Sequence, residues 1–331
     1  MSTKTTPTMK AIQLHTFGGP EVLVYEDVPR PTAGSDEVLI RVHAVGVNPP
    51  DWYLRSGYMN IPERFKSTTK IPLPPLPLVL GSDVSGIVEA VGSGVTTFRE
   101  GDAVYGLIRF PNGGIPAGAY AEYIAANVSN LALKPTSINH LQAAAVPMSA
   151  LTIYQALLKH GHLVAGQTIL VNGAAGGLGH FAVQLAKAEG MHVIGVASGR
   201  HAAFLRELGI DELIDYTTTI PEKVGRVADL IIDTVAGGFD PHLLGTLKHG
   251  GTLLALGMKY SLEHITETDV TIQKTQVYSS GAHLASIADL IDAGKIRVGI
   301  DTIVPLSEAH KAHQRTEQGH LQGKIVLRVV E

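Results

Sequence analysis

The sequence contains no cysteine among its 331 residues. Disulfide bonds, a thiolate nucleophile and a zinc site with sulfur ligands are therefore excluded. Aromatic residues make up only 5% of the chain, and charged residues make up 17%, with 26 basic against 30 acidic side chains. A net charge of −4 supplies no basic field that could neutralise phosphates, so we expect no nucleic-acid partner.

Long apolar runs are also missing. One long stretch without a charged residue covers the 24 residues Pro135–Leu158, and it contains Thr, Ser, Asn, His and Gln. It is too polar for a membrane-spanning helix, so we expect no membrane partner. The N-terminal residues lack the apolar core of a signal peptide. Together with the absence of cysteine, this predicts a cytoplasmic protein.

Two kinds of local pattern divide the chain. From Met9 to about Asn127, short β-type runs alternate with turn residues, which predicts a β-barrel or sandwich. After about Lys134, six apolar strands alternate with helical segments, which predicts an α/β fold with a doubly wound parallel sheet. The sixth predicted strand, TQVYSSG at residues 275–281, would lie at a sheet edge, and we therefore expect a homodimer. A last strand, KIVLRVV, is expected to return to the β domain.

Glycine is abundant, with 36 residues, and a dense cluster lies between the first strand and the first helix of the α/β part. Glycines at such spacing allow a tight turn and the close approach of a pyrophosphate to a helix N-terminus. Because the cluster follows a strand and opens a β-α-β series, it predicts a dinucleotide site. The candidate residues of this turn are Gly173, Gly176, Gly177, Leu178 and Gly179.

The end of the second strand of the α/β part favours NADP over NAD. Proteins that bind NAD usually place Asp or Glu there, but no carboxylate occurs between Met191 and Arg206. Ser198, Gly199 and Arg200 follow the strand instead. A hydroxyl and a guanidinium suit a 2′-phosphate, which arginine binds with charge-assisted hydrogen bonds. A solvated arginine at a helix start is the alternative for Arg200.

Further cofactor contacts are expected where other parallel strands end, because ligands of open α/β sheets bind at the carboxyl ends of the strands. The candidates that end the fourth and fifth strands are Thr234, Val235, Leu256, Gly257 and Met258.

Four motifs spread over nearly the whole chain resemble those of a known family, the zinc-independent quinone oxidoreductase (ζ-crystallin-like) branch of the medium-chain dehydrogenase/reductase superfamily. They are Phe17–Leu23, Gly81–Gly86, Gly118–Tyr123 and Gly323–Leu327. The resemblance implies a GroES-like β-barrel catalytic domain at residues 1–133 and 282–331. It also implies a Rossmann NADP-binding domain at residues 134–281, with the active site in the cleft.

The resemblance further implies an enzyme without a metal. Zinc-dependent members of the superfamily bind their catalytic metal through a Gly-Val-Cys-His type segment and a Gly-His-Glu segment. Asn48 and Ser82 stand at the cysteine and histidine positions here, which leaves only the carboxylate of Asp83. Without a Lewis acid to stabilise an alkoxide, hydride transfer to a conjugated acceptor is favoured over alcohol oxidation.

The predicted activity is therefore NADPH-dependent reduction of a quinone by hydride transfer. Two alternatives stay open at this point. One is NADPH-dependent reduction of an enone or another conjugated carbonyl at its double bond, and the other is a non-catalytic NADPH-binding protein.

By the same resemblance, residues 48–53 lie beside the nicotinamide and the acceptor. Tyr53 is the first candidate for orienting or protonating the substrate oxygen, with Asn48 and Arg55 as polar neighbours, although Tyr53 could also be a packed aromatic. Trp52 is expected in the core. Thr152, with a locally bonded helix residue as the alternative, is expected near the nicotinamide. The last two candidates are Tyr216 near the adenosine and His320 at the closure of the cofactor cleft.

Overall fold

The computed structural model describes residues 7–58, 73–108, 118–160, 164–235, 241–256 and 269–330. Short strands dominate the N-terminal part, as the alternation of β-type runs and turn residues predicts. Its elements are β1 (Thr8–Leu14), β2 (Leu23–Pro29), β3 (Glu37–Val47), α1 (Pro49–Arg55), β4 (Leu78–Val79), β5 (Asp83–Val91), β6 (Ala103–Leu107), β7 (Tyr123–Asn127) and β8 (Leu131–Leu133).

The remaining elements alternate between strand and helix. They are α2 (His140–Ala144), α3 (Pro147–His160), β9 (Thr168–Asn172), α4 (Gly179–Ala188), β10 (His192–Ala197), α5 (Ala202–Glu207), β11 (Glu212–Asp215), β12 (Ala228–Asp233), β13 (Leu247–Leu256), β14 (Thr271–Thr275), α6 (Gly281–Asp292), β15 (Ile300–Pro305), α7 (Ala309–Glu317) and β16 (Lys324–Arg328).

The barrel region uses strands from both ends of the chain. Its larger sheet has the order β15-β16-β3-β5-β6-β8, with β7 also paired to β3, and a smaller sheet has the order β2-β1-β4. Strand β16 pairs antiparallel with β3 and sets Ile325 opposite Val47. Buried β-branched residues such as Val42, Val84 and Ile325 share one core cluster, because side chains of this shape pack well on a pleated surface.

Parallel strands form the second sheet, in the order β11-β10-β9-β12-β13-β14. Neighbouring residues of β9 pack on opposite faces: Ile169 and Val171 belong to one core cluster and Leu170 to another. Burial of both faces explains why these strands are continuous apolar runs rather than alternating ones. The predicted α/β class, with a doubly wound sheet and a GroES-like β domain, is confirmed.

The predicted position of the sixth strand was wrong. Strand β14 covers Thr271–Thr275, and the segment 275–281 leads instead into α6. The side chain of Ser280 accepts a hydrogen bond from the N–H of His283 and caps that helix. A serine cap before an apolar helix therefore determined this segment more strongly than its short apolar run.

Helix α6 packs with the second sheet. Its residues Leu284, Ile287 and Ile291 share a core cluster with Ile169 and Phe181. The predicted domain limits at residues 133 and 282 stay a prediction. Among the helices of the described ranges, none combines the length and the apolar character that a bilayer crossing needs.

Candidate active site

A cavity of about 790 Å³ opens at the carboxyl ends of β9, β10 and β12. Strand ends of the parallel sheet line it through Asn172, Ala197 and Thr234. The end of β3 and the start of α1 line it from the barrel region, and residues 319–325 close it. Ligands of open α/β sheets bind at this end of the strands, so the cavity is the candidate active site.

The glycine turn forms one wall of this cavity. Gly173 has a φ of 74°, and the N–H groups of Gly173 and Ala174 both donate to the carbonyl oxygen of Val196 on β10. A Cβ on Gly179 would lie 2.1 Å from the carbonyl oxygen of Gly173, so no larger residue fits there. A Cβ on Gly176 would meet only that same oxygen within 4 Å, at 3.3 Å, and would otherwise project into open space.

The turn also presents free backbone donors. The N–H groups of Ala175, Gly177 and Leu178 have no backbone acceptor in the described part of the chain, and all three residues line the cavity. Free N–H groups before a helix attract anions. The turn therefore fits the pyrophosphate of a dinucleotide. Of the predicted turn residues, Gly173, Gly176, Gly177 and Leu178 line the cavity, and Gly179 packs behind them.

The end of β10 carries the residues that favoured NADP. Ser198 and the nearby Tyr216 line the cavity. Arg200 is exposed, and its guanidinium donates to Nε2 of His201 at 3.0 Å and to the carbonyl oxygen of His320 at 3.1 Å. The arginine thus lies across the edge of the cavity and reaches the C-terminal segment.

A carboxylate that the sequence interpretation missed lies beside this loop. Asp215 ends β11, directly opposite Ala197 of β10, and a Cβ on Gly199 would lie 2.4 Å from its Oδ2. Hydrogen bonds from the side chain and N–H of Thr217, with a further one from the N–H of Gly199, hold the pKa of Asp215 below its usual range. Residues 191–206 contain no Asp or Glu, but the neighbouring strand β11 places the carboxylate of Asp215 beside the end of β10.

The strand-end candidates have separate locations. Thr234 and Val235 line the cavity, and Oγ1 of Thr234 donates to the carbonyl oxygen of Asn172 at 2.6 Å. Leu256, the last residue of β13, belongs instead to the buried core and is absent from the described lining. Gly257 and Met258 lie outside the described residues.

The C-terminal segment forms another wall of the cavity. His320 lines the cavity and has a φ of 52°. Three residues later, the N–H of Gly323 donates to the carbonyl oxygen of Ala175 in the glycine turn, at 2.9 Å. This bond connects the segment before β16 to the glycine turn.

The aromatic pair at the start of α1 is arranged differently from the expectation. Trp52 lines the cavity, so its expected place in the core was wrong. Tyr53 is 6% exposed, packs against Trp52 with ring centroids 4.1 Å apart, and is absent from the described lining. Successive helix residues point about 100° apart, so α1 can direct only one of the two rings into the cavity. The indole N–H of Trp52 is buried and has no acceptor among the described residues.

Arg55 and Thr152 also lie behind the described lining of the cavity. Arg55 is fully buried; it donates to the carbonyl oxygen of Gly18 and to Oε1 of Glu317, so it joins α1 to α7. Oγ1 of Thr152 donates to the carbonyl oxygen of Met148 at 2.6 Å within its own helix, which is the local alternative. Ser149, three residues earlier, lines the cavity instead.

Asn48 organises a buried polar network beneath the cavity wall. Its Nδ2 donates to Oδ2 of Asp83 at 2.9 Å, and its Oδ1 accepts from Nζ of Lys324. The ammonium of Lys324 also donates to the carbonyl oxygen of Val47 at 3.0 Å. The N–H of Met148 donates to Oδ1 of Asp83 at 2.9 Å. Asn48 is a candidate by sequence and Lys324 is not, although the lysine lies inside the motif Gly323–Leu327.

Burial shifts the charged groups of this network strongly. It raises the pKa of Asp51 to about 7 and the pKa of Asp83 to about 6, because a carboxylate loses its hydration. It lowers the pKa of Lys324, while the charges of Asp83 and Asp51 act in the opposite direction. The two carboxylates therefore favour a charged ammonium at a site that lines the cavity.

A chain of hydrogen bonds holds Asp51 from the other side. A guanidinium only donates, so Nδ1 of His313 accepts from Arg55 and its Nε2–H points to Tyr120. The hydroxyl of Tyr120 then donates to Oδ2 of Asp51 at 3.3 Å. Burial lowers the pKa of His313 to about 3, which keeps this imidazole neutral. This series of hydrogen bonds holds the start of α1 in place and therefore orients Trp52 toward the cavity.

His180 lies in α4, directly after the glycine turn, and its burial makes the stability of the protein depend on pH. Its Nδ1 donates to the carbonyl oxygen of Gly176 at 2.9 Å, and burial lowers its pKa from 6.5 to about 4. Below pH 6.5 the unfolded chain binds a proton that the native protein does not bind until about pH 4. Stability is therefore lost as the pH falls through this window.

We expect the free energy of unfolding of the wild type to fall by about 3 kcal/mol more than that of His180→Asn between pH 7 and pH 4. Asparagine retains a donor for Gly176, so the substitution removes the titration rather than the bond. Urea unfolding at both pH values measures the difference, with His249→Asn at an exposed position as the control substitution. An equal loss in wild type and His180→Asn would contradict the expectation.

Comparison with known proteins agrees with this geometry. Residues 34–136 match the family described as alcohol dehydrogenase GroES-like domain, and residues 208–327 match the family described as zinc-binding dehydrogenase. The chain is 36% identical over 330 residues to "NAD(P)H oxidoreductase RTN4IP1, mitochondrial" from Mus musculus, covering 89% of this chain and 82% of the relative. It is 33% identical over 337 residues to the quinone oxidoreductase from Sus scrofa, covering 96% and 97%.

A solved structure of the quinone oxidoreductase from Coxiella burnetii has a TM-score of 0.86 and 34% identity, covering 98% of this chain and 100% of that one. The chain belongs to the quinone oxidoreductase branch of the medium-chain dehydrogenase/reductase superfamily. The family resemblance of its motifs is confirmed. This family member is an oxidoreductase that uses a nicotinamide cofactor.

The zinc that one family description names does not fit the described residues around Asn48 and Asp83. Both oxygens of Asp83 accept hydrogen bonds, from Asn48 and from the N–H of Met148. The ammonium of Lys324 donates a hydrogen bond to Oδ1 of Asn48, so its positive charge would repel a zinc ion at this position. Among the described residues no group of three or more His, Asp or Glu side chains could hold a metal ion.

Proposed function

We propose that this chain reduces quinones by hydride transfer from NADPH and that it does so without a metal. The observation that carries the proposal is the single cavity that joins a dinucleotide turn to the ammonium of Lys324. In the balanced reaction, NADPH, a proton and a quinone give NADP⁺ and a hydroquinone. When bound, the nicotinamide supplies the hydride.

The residues of this chain bind, orient and shield the reactants. The free N–H groups of the glycine turn suit the pyrophosphate, and the strand ends at Thr234 and Val235 border the cavity. Trp52 and Val47 provide an apolar wall on the barrel side, against which a planar acceptor can lie. Alignment of two planar rings and exclusion of water supply much of the rate enhancement in such a transfer.

The test of the proposal is a set of acceptors with either cofactor. We expect oxidation of NADPH with 1,4-benzoquinone and 9,10-phenanthrenequinone, and little with a simple ketone. Activity must survive exhaustive dialysis against a chelator. Faster turnover of an alkenal than of both quinones would identify a double-bond reductase instead, and NADPH binding without turnover of any acceptor would identify a non-catalytic binder.

The choice of NADPH rests on two opposed charges at the end of β10. Arg200 offers a guanidinium to a 2′-phosphate, and the carboxylate of Asp215 disfavours one. The oxygens of Asp215 are partly satisfied by Thr217 and by the N–H of Gly199. We propose that Arg200 has the larger effect on cofactor preference. Its guanidinium donates to the carbonyl oxygen of His320 and so already lies across the edge of the cavity.

Substitution of these two residues should move the cofactor preference in opposite directions. We expect Arg200→Gln to raise the Kd of NADPH about tenfold and to leave the Kd of NADH within about twofold. Asp215→Asn should tighten NADPH binding. Fluorescence titration of both cofactors measures the effects, and Arg99→Gln, with a largely exposed side chain, is the control. Equal weakening of both cofactors by Arg200→Gln would show that Arg200 does not bind the 2′-phosphate.

We also propose a cytoplasmic homodimer. Strand β14 has a hydrogen-bonded neighbour on one side only among the described strands, and such an edge can pair with a second copy. Light scattering coupled to size-exclusion chromatography measures the mass. Relatives named for mitochondria and chloroplasts make fractionation of cells the direct test of location.

A further inference from the structure

Two buried polar residues that line the cavity, Ser149 and Lys324, each carry a hydrogen-bond donor without an acceptor among the described residues. We propose that Oγ of Ser149 and Nζ of Lys324 together donate hydrogen bonds to the acceptor oxygen that gains negative charge during reduction. This inference rests on the proposed function and names the groups that replace a Lewis acid in it.

Ser149 carries the first observation. The residue is fully buried and lines the cavity, yet its Oγ has no hydrogen-bond partner among the described residues. A buried hydroxyl without a partner costs about 1–3 kcal/mol, so the fold gains nothing from this serine. A ligand oxygen in the cavity would satisfy it.

Lys324 carries the second observation. The residue is 4% exposed, and its ammonium has three N–H donors. Val47 and Asn48 accept two of them, and the third has no acceptor in the described part of the chain. The lysine stem runs along the glycine turn, since a Cβ on Gly177 would lie 3.1 Å from its Cδ. The ammonium thus lies between the dinucleotide turn and the barrel.

A continuous path of hydrogen bonds runs from the ammonium of Lys324 to the N–H of Met148, next to Ser149 in the chain. The N–H of Met148, the residue before Ser149, donates to Asp83, which accepts from Asn48, which in turn accepts from Lys324. The path crosses from α3 to β5, then to the N-terminus of α1 and to β16. The backbone before Ser149 and the ammonium of Lys324 are therefore held relative to each other before any ligand arrives. Asn48 and Asp83 act as positioning residues.

Such a preorganised pair suits the chemistry. Hydride adds two electrons to the quinone, and one oxygen bears the negative charge until a proton from the solvent completes the hydroquinone. Donors that are already directed at this oxygen stabilise the charge without reorganisation, and removing one commonly lowers the rate by about 100-fold or more. Burial lowers the pKa of Lys324, and the charges of Asp83 and Asp51 act against that lowering and so favour the protonated ammonium.

The first experiment separates hydride transfer from cofactor binding. Single-turnover oxidation of saturating NADPH by 1,4-benzoquinone is measured for Lys324→Met and Ser149→Ala, and the Kd of NADPH is measured separately. We expect the rate to fall about 100-fold for Lys324→Met and about tenfold for Ser149→Ala, with the Kd of NADPH within about threefold. The matched controls are Lys311→Met at an exposed position and Ser286→Ala at a half-buried one, both outside the described lining of the cavity.

Rates within twofold of the wild type would overturn the inference. A loss confined to the Kd of NADPH would also overturn it, because the lysine would then serve the phosphates of the cofactor. Ser149→Ala carries the test by itself if Lys324→Met does not fold. Absence of turnover by the wild type with every acceptor would overturn the proposed function and this inference together, whereas active wild type with unchanged variants overturns this inference alone.

A second experiment needs no turnover. In the complex with NADP⁺, 4-nitrophenol reports the state of its oxygen, because the phenolate absorbs visible light and the phenol does not. We expect the wild type to bind the phenolate in preference to the phenol, which lowers the pKa of the bound ligand. Each single variant should lose about tenfold of that preference. An unshifted pKa of the bound phenol in the wild type would overturn the inference.

Discussion

Gly176→Val is expected to weaken binding of the nicotinamide cofactor by about 100-fold while the protein stays folded. A side chain at this position projects from the glycine turn into the cavity, and within 4 Å its Cβ meets only the carbonyl oxygen of Gly173. Residue 176 is not in the left-handed region, so valine is not strained there by its φ. The substituent would occupy the space of the pyrophosphate, and overfilling a packed site costs about 1–3 kcal/mol, or up to about 100-fold in affinity.

Gly166→Ala provides the crossed control for this prediction. Gly166 has a φ of 88° and no atom within 4 Å of a Cβ, and it lies away from the described lining of the cavity. Alanine in the left-handed region costs about 1–2 kcal/mol, so this variant should lose stability and keep its affinity. Isothermal titration and urea unfolding measure the two quantities. Wild-type affinity in Gly176→Val would show that the cofactor does not lie against this turn.

Asp83→Ala is expected to lower the free energy of unfolding by about 3 kcal/mol or more. The carboxylate is fully buried and accepts from Asn48 and from the N–H of Met148, so its removal leaves two buried donors without an acceptor. It also removes one negative charge beside the ammonium of Lys324. Breaking a buried pair by deleting one partner costs about 3–5 kcal/mol.

The control for Asp83→Ala is Asp27→Ala. Asp27 pairs with Lys10 at 2.7 Å, but both side chains are exposed, and such a pair contributes only about 0–1 kcal/mol. Urea unfolding at pH 8, where the carboxylates are ionised, compares the two variants. If Asp83→Ala and Asp27→Ala lower the stability equally, the network around Asn48 does not hold the fold together at this point.

Local features of the molecule follow from the sequence because their causes are local. The buried runs of β9 and β10 identify a sheet covered on both faces, and the glycines at 173, 176 and 179 identify the turn between β9 and α4. A positive φ at Gly173 and the missing space at Gly179 are requirements of a few consecutive residues. The position of β14 could not be predicted in this way. The short apolar run at 275–281 resembles a strand, but the cap at Ser280 makes this segment the start of α6.

The site itself depends on residues that are distant in sequence. Asp215 reaches Gly199 because β11 pairs with β10, and no search between 191 and 206 can find it. The sequence does not show which of the adjacent rings of Trp52 and Tyr53 faces the cavity. The orientation of α1 decides this, and a series of hydrogen bonds from Arg55 through His313 and Tyr120 to Asp51 holds that orientation.

The absence of thiolate ligands and the presence of a glycine-rich turn inside a doubly wound sheet follow from the amino-acid sequence alone. Composition and local backbone preferences are sufficient for both conclusions. The spatial arrangement of the chain, by contrast, brings Lys324 of the C-terminal strand to Asn48, which bonds to Asp83, and leaves Oγ of Ser149 without a partner among the described residues. The physical reason is that a buried ammonium is stable only where several distant segments bring carboxylates and carbonyl oxygens around it.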